Sequence, residues 1–182
     1  LIAKTAESKT IWLKNLLIKR AIAAFDINID EAASGDLNDY ENFNQFFTRA
    51  LKPGARPVDL DADALVSPAD GVVSQAGAIN KQRIIQAKGS DYSAGRLLGN
   101  REDARLYENG TFTTIYLSPK DYHRVHMPLA GKLIRSRYIP SDLFSVNDKT
   151  AQALPGLFAR NERLVCEFES EQGQFALVFV GA

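Results

Sequence analysis

The stretch that decides the reading of this chain is Thr111-Phe112-Thr113-Thr114-Ile115-Tyr116-Leu117-Ser118-Pro119-Lys120-Asp121-Tyr122-His123-Arg124-Val125-His126-Met127-Pro128. Its first part, Thr111 to Leu117, is apolar and β-branched, which predicts a buried strand. Ser118-Pro119-Lys120-Asp121 predicts a turn, because proline presets φ and the Ser and Asp side chains can bond local backbone amides. Both histidines of the protein, His123 and His126, follow that turn. They therefore sit where a rigid strand leaves the core, a place that can hold an imidazole still and partly dry. Imidazole titrates near neutrality, so two of them here suit proton transfer. A pair of satisfied structural histidines is the competing reading.

Outward from this stretch, toward the C-terminus, strands are expected at Gly131 to Ile139, Arg163 to Phe168 and Phe175 to Val180, with Glu171-Gln172-Gly173 joining the last two as a hairpin. Toward the N-terminus, Ala64-Leu65-Val66, Gly71-Val72-Val73-Ser74 and Arg83-Ile84-Ile85 read as short strands, and a short helix fits around Leu97-Leu98. Short strands broken by glycine and proline turns predict a β-rich, mostly antiparallel body rather than βαβ units. The last apolar strand is expected to present a raw edge.

Before residue 62 the pattern is helical. Thr5 to Phe25 has Ile11, Trp12, Leu13, Leu16, Leu17, Ile18, Ile22 and Phe25 without proline or glycine, predicting a helix. Lys4, Lys9, Lys14, Lys19 and Arg20 face only Glu7 in this part, a balance suited to an anionic membrane surface. A helix packed on its own domain with a solvated basic face is the alternative. Tyr40 to Leu51 places Phe43, Phe46, Phe47 and Leu51 at helical spacing, and Pro53, Gly54 and Pro57 end it. The fold class is thus α+β: residues 1–62 a helical, membrane-associating region, and residues 63–182 a β-rich body.

Composition narrows the function classes. The 182 residues are 45% hydrophobic and 24% charged, as in ordinary globular domains. Lys+Arg and Asp+Glu balance at 22 each, so no global field favours nucleic acid. A single cysteine, Cys166, excludes an internal disulfide framework. No apolar run approaches the roughly 18 residues of a spanning helix. The start lacks the features of a secretory signal.

Asp70, in Ser67-Pro68-Ala69-Asp70-Gly71, reads on its own as a turn aspartate. Beside the histidines it suggests more, since an Asp can fix the tautomer of a His that then deprotonates a hydroxyl. No Gly-x-Ser-x-Gly elbow supplies the nucleophile. His123 and His126 lack the spacing of a zinc motif, so no metal is expected. Glycine-rich phosphate loops are absent as well.

Taken in order, several motifs resemble the phosphatidylserine decarboxylase family of the bacterial, membrane-associated type, in its β-chain region. They are Asn42-Phe43-Asn44-Gln45-Phe46-Phe47-Thr48-Arg49, Arg56-Pro57-Val58-Asp59, Ser67-Pro68-Ala69-Asp70-Gly71, Gln86-Ala87-Lys88-Gly89, the Tyr116 to Pro128 segment, Asp142-Leu143-Phe144-Ser145-Val146-Asn147, and Leu157-Phe158-Ala159-Arg160-Asn161-Glu162-Arg163. The resemblance implies a pyruvoyl enzyme that decarboxylates phosphatidylserine to phosphatidylethanolamine at the cytoplasmic face of the cell membrane. Its pyruvoyl group, formed from an internal serine by self-cleavage of a proenzyme, takes up the substrate amine as a Schiff base and acts as electron sink. It further implies that Asp70 and His126 activate that serine and that His123 serves decarboxylation and protonation; the residues alone do not separate the two histidines.

The family's Leu-Gly-Ser-Thr-type processing site does not occur in these residues. The pyruvoyl serine is therefore expected on a downstream α chain, and this chain alone is expected to be inactive. The implied partners are phosphatidylserine, the anionic membrane surface, the α chain and a second α/β unit in a homodimer. Two other classes remain open: a non-enzymatic lipid-binding module of the same fold, and a β-rich phosphotransfer or carrier domain with phosphate on His123 or His126.

Overall fold

A helix with neither proline nor glycine, α1, runs from Ile11 to Phe25. It stops where Asp26 turns left-handed at φ 55° and returns its N–H to the Ile22 carbonyl. The computed structural model describes residues 5–61, 64–87 and 89–182. Lys4, Lys88 and the boundary expected near residue 62 lie outside the described residues. The chain divides into two compact units: residues 1–71 with 117–128, and residues 72–116 with 129–182.

In the first, helical unit, α1 buries Lys14, Ile18 and Ala21, one face at helical spacing. Ile18, fully buried, packs with Ala21, Ile27, Tyr40 and Phe46. Helix α2, Phe43–Phe47, begins where the Asn42 side chain accepts the Gln45 N–H at 2.9 Å. It drives fully buried Phe46 edge-on against Tyr40.

Two expectations change here. The expected first helix is interrupted: Thr5 and Ala6 are helical, residues 7–10 are not, and α1 starts at Ile11, while the second covers five residues rather than Tyr40 to Leu51. A phenylalanine-rich segment needs only one turn to bury Phe46. Lys14 also belongs to the interior, where its ammonium donates to the Leu37 carbonyl and to Asn15 Oδ1.

The second, strand unit is built from antiparallel pairs. Strand β1 (Val72–Ala78) pairs with β4 (Thr111–Tyr116), with a bulge between Val73 and Gln75. Strands β2 (Arg83–Ala87) and β3 (Ser90–Ser93) form a second pair. β5 (Lys132–Ile139), β6 (Arg163–Ser170) and β7 (Gly173–Val180) form a sheet in that order. Among the described residues, β7 pairs with β6 along one side.

Short helices complete the unit: α3 (Ala94–Leu98), α4 (Asp148–Ala153) and α5 (Leu157–Arg160). Its core centres on Ile79, Ile84, Tyr92, Leu98, Leu157, Phe158 and Val165. Buried Arg163 is satisfied by the carbonyls of Leu97, Arg96 and Asn161. Cys166, on β6 between Ser136 and Leu177, is buried, and burial pushes its thiol pKa up.

The fold is α+β. Strand β4 is half-buried rather than buried. Ala64-Leu65-Val66 forms no strand; Val66 instead gives its N–H to the Pro128 carbonyl at 3.1 Å.

Candidate functional site

Every residue singled out for chemistry falls within the helical unit. Its 117–128 segment is held by short-range polar bonds that the Ser-Pro-Lys-Asp sequence makes possible. Asp121 accepts the Ser118 N–H at 2.6 Å and its hydroxyl at 2.8 Å, while the Asp121 N–H donates to the Ser118 carbonyl at 2.9 Å. This is the expected turn. It aims the Ser118 carbonyl at His123, which lies 3.1 Å away through Nε2.

A carbonyl can only accept, so Nε2 carries the proton and Nδ1 of neutral His123 keeps its lone pair. The imidazole lies on the Phe47 ring, with centroids 3.9 Å apart and planes at 25°. Phe47 is in turn stacked by Phe43. Burial lowers the His123 pKa, and the nearby Arg49 charge adds to the effect, against the Ser118 hydrogen bond and the Asp121 carboxylate. The ring is thus a neutral base in a half-dry place.

His126 has different surroundings. Its ring lies along Tyr122, with Nε2 3.0 Å from the phenol oxygen. Its backbone N–H donates to the Pro68 carbonyl at 2.7 Å. With the Val66 to Pro128 bond, this stitches the histidine segment to the chain just before Asp70.

The expected neighbourhood of Asp70 and His126 is therefore present in the backbone. The Asp70 carboxylate, however, is gripped by Arg56, whose Nε lies 2.9 and 3.0 Å from its two oxygens and whose Nη2 lies 2.6 Å from Oδ2. The same Nη2 reaches Glu31 at 2.8 Å. These hydrogen bonds, to Asp70 first, push the Arg56 pKa up. Among the described residues, Asp70 bonds to Arg56 and His126 to Tyr122, not to each other.

Arg49 provides a second cationic post. It is buried under α2, donates to the Lys120 carbonyl at 3.3 Å, and lies 5.4 Å from the Phe46 ring centroid. Burial lowers its pKa, and Tyr40, Glu31 and Asp70 oppose this. Its Nε and Nη1 have no hydrogen-bond partner among the described residues. Arg124 ties the histidine segment to α2 through the Thr48 carbonyl at 2.7 Å. A cleft of about 230 Å³ opens beside Arg49, Arg56, Asp70, Lys120, Asp121 and Tyr122.

Sequence reasoning found Asp70 and both histidines but gave no role to Arg56, Arg49, Tyr122 or Phe47. Arg49, Arg56 and Phe47 stand inside motifs that carried the resemblance. Their partners, far away in sequence, left no local signal. Among the described residues, no group of three or more His, Cys, Asp or Glu side chains could hold a metal ion.

These features define a histidine site with one neutral, oriented imidazole, on a mainly antiparallel α+β scaffold. Comparison with known proteins places it further. The sequence model of the phosphatidylserine decarboxylase family matches residues 43–182. A phosphatidylserine decarboxylase proenzyme of Methylobacillus flagellatus is 55% identical over 184 residues, covering 100% of this chain and 65% of the relative. One of Shewanella baltica is 54% identical, covering 100% and 63%, and one of Polaromonas naphthalenivorans 56%, covering 94% and 59%. The chain belongs to the phosphatidylserine decarboxylase family. It spans somewhat under two thirds of the length of these relatives.

Proposed function

We propose that the full-length protein decarboxylates phosphatidylserine to phosphatidylethanolamine, using a pyruvoyl group formed by self-cleavage of a proenzyme. The observation that carries this reading is His123, neutral, fixed through Nε2 to Ser118 and stacked on Phe47. A pyruvoyl group supplies a sink for the electrons that departing CO2 leaves behind. The residues fit such chemistry, because the free Nδ1 of His123 can hold or deliver a proton where no fixed positive charge is wanted. Phe47 keeps that nitrogen oriented and half-dry.

His126 is assigned to self-cleavage, as the base for the processing serine hydroxyl, with Tyr122 orienting its ring. Asp70 supports it as the charge of the pair. The Arg56 grip fixes that carboxylate's position, and the Pro68–His126 backbone bond keeps the two segments in register.

The membrane reading is supported by the outer face of α1, where Ile11 and Trp12 are 66% and 69% exposed beside Lys19 and Arg20. Lys9 is paired with Glu41 at 2.7 Å and Lys14 is interior, so Lys19 and Arg20 carry the electrostatic part. No described helix is long and apolar enough to cross a membrane. On this reading α1 rests on the membrane surface, and the full-length protein is a peripheral one that acts there on phosphatidylserine as a homodimer of α/β units.

The test uses the full-length protein, with a gel for chain cleavage beside CO2 release from labelled phosphatidylserine. His126→Ala and Asp70→Asn leave the proenzyme uncut, with losses on the order of 10⁴-fold, as for triads of this kind. His123→Ala still cleaves but releases little CO2. Normal cleavage in His126→Ala would overturn the assignment, and a block confined to His123→Ala would exchange the two histidines. Trp12→Ala is expected to weaken binding to phosphatidylglycerol vesicles, as is Lys19→Gln/Arg20→Gln by about 1 kcal/mol per charge. Unchanged binding would remove α1 from the membrane contact.

A further inference from the structure

A second cavity, of about 350 Å³, lies in the strand unit and takes no part in the chemistry above. Lys81, Arg83, Arg101 and Arg105 line it, with Glu102 as the acid among the lining residues. The whole chain is electrically balanced, so this is a local concentration of one sign. Arg83 is already spent, chelating the Asp91 carboxylate through Nε at 2.8 Å and through Nη2. Lys81, Arg101 and Arg105 have no ion pair among the described residues. With Glu102 as the acid in the same lining, Lys81, Arg101 and Arg105 leave the concavity net positive, which favours a bound anion.

The backbone assembles this wall from separate pieces. Lys81 and Gln82 both adopt left-handed φ, 50° and 64°, in the two-residue turn closed by the Arg83 N–H to Asn80 carbonyl bond of 2.9 Å. Such turns favour Asn and Gly, whose place is taken here by a cation and an amide donor. Near Ser93 and Arg101, two further lining residues, a Cβ on Gly95 would meet Arg101 Cα at 3.1 Å, Arg101 Cγ at 3.2 Å and Ser93 Oγ at 3.4 Å. The absent side chain lets Arg101, a lining residue of the cavity, pack closely on the start of α3.

We propose that this cavity binds a phosphate group, with Lys81, Arg101 and Arg105 as its charged donors and Gln82 as a neutral one. Guanidinium forks match phosphate oxygens in geometry as well as in sign. The volume accommodates a phosphate bearing a substituent, so the group can belong to a lipid headgroup or to a soluble phosphate.

The test titrates the ¹⁵N-labelled protein with inorganic phosphate and, at matched ionic strength, with chloride. Phosphate is expected to shift the amides of residues 81–83 and 101–105 selectively. Arg101→Gln/Arg105→Gln is expected to weaken binding about tenfold, and Glu102→Gln to tighten it severalfold. All three side chains are exposed, and retained strand-amide dispersion checks that the variants fold. Equal shifts from chloride, or phosphate affinity unchanged in the double variant, would overturn the proposal.

A second arm measures binding to vesicles of equimolar phosphatidylglycerol and phosphatidylcholine. Weaker vesicle binding in the double variant, alongside lost phosphate affinity, assigns the site to a lipid headgroup. Unchanged vesicle binding alongside lost phosphate affinity assigns it to soluble phosphate.

Discussion

In the helical unit, the buried apolar cluster is Ile18, Ala21, Ile27, Tyr40 and Phe46, whereas the strand unit buries Ile79, Ile84, Tyr92, Leu98, Leu157, Phe158, Val165 and further alanines. The smaller core is supplemented by cations that reach across loops: Lys14 to Leu37, Arg49 to Lys120, Arg56 to Asp70 and Glu31, Arg124 to Thr48. The strand unit has cations of its own, Arg163 on backbone carbonyls and Arg135 and Arg137 on Asp103, Glu167 and the Leu98 carbonyl, but sets them on ladder bonds and a larger apolar core. Titratable groups need surroundings that are neither fully wet nor fully apolar. A loop fastened by guanidinium bonds provides them, and a close-packed sheet core does not. The unit with the thinner core thus carries the candidate site.

The contrast breaks most readily at Phe46. Truncating it to alanine empties the centre of the smaller core and should cost about 3–5 kcal/mol. Hydrogen exchange should then accelerate through α1 while β5 to β7 stay protected. Equal acceleration in both would show that the two units unfold as one and void the comparison.

A smaller effect is expected in the strand unit from Gly99→Ala. Gly99 has φ 73°, and an added Cβ would lie 2.5 Å from Ile139 Cδ1. Thermal denaturation should show a loss of about 1–3 kcal/mol, from overpacking together with the left-handed backbone. A neutral result would mean that β5 yields more than a packed sheet should.

The smallest effect sharpens the account of the site. Because burial lowers the His123 pKa, the unfolded chain binds more protons than the folded one between that lowered value and about 6.5. Stability from this group is full above pH 6.5 and falls as pH drops through the folded pKa. His123→Gln should flatten that part of a plot of Tm against pH. An unchanged slope would place the titration elsewhere.

Legibility in the sequence followed the length and polarity of each segment. The β-branched and apolar runs of β1, β2 and β4 to β7 announced themselves, as did the Ser118–Asp121 turn. Strand β3, Ser90-Asp91-Tyr92-Ser93, is polar and could not be read from periodicity. Helices α4 and α5 are too short for a helical period to emerge, and α4 begins on the Asn147 cap, which accepts the Thr150 N–H. Conversely, Ala64-Leu65-Val66 has strand composition but no ladder partner among the described residues.

At the site, the histidines were visible because the protein has only two. That Arg56 would take the Asp70 carboxylate was not visible, because no local rule links residues 14 positions apart outside regular structure. The two units also interleave, so that residues 117–128 group with the helices while the strands on either side of them do not.

Cys166 gives the strand unit its own stopwatch. The one thiol of these 182 residues sits in the middle strand of the β5–β6–β7 sheet, protonated by virtue of its raised pKa and covered by its neighbours. An alkylating reagent needs an exposed thiolate, so labelling must wait until β6 opens. Under fast reclosure, the alkylation rate divided by that of a free thiol reads the fraction of time the sheet spends open. One mass measurement per time point then follows the breathing of this sheet without any introduced probe.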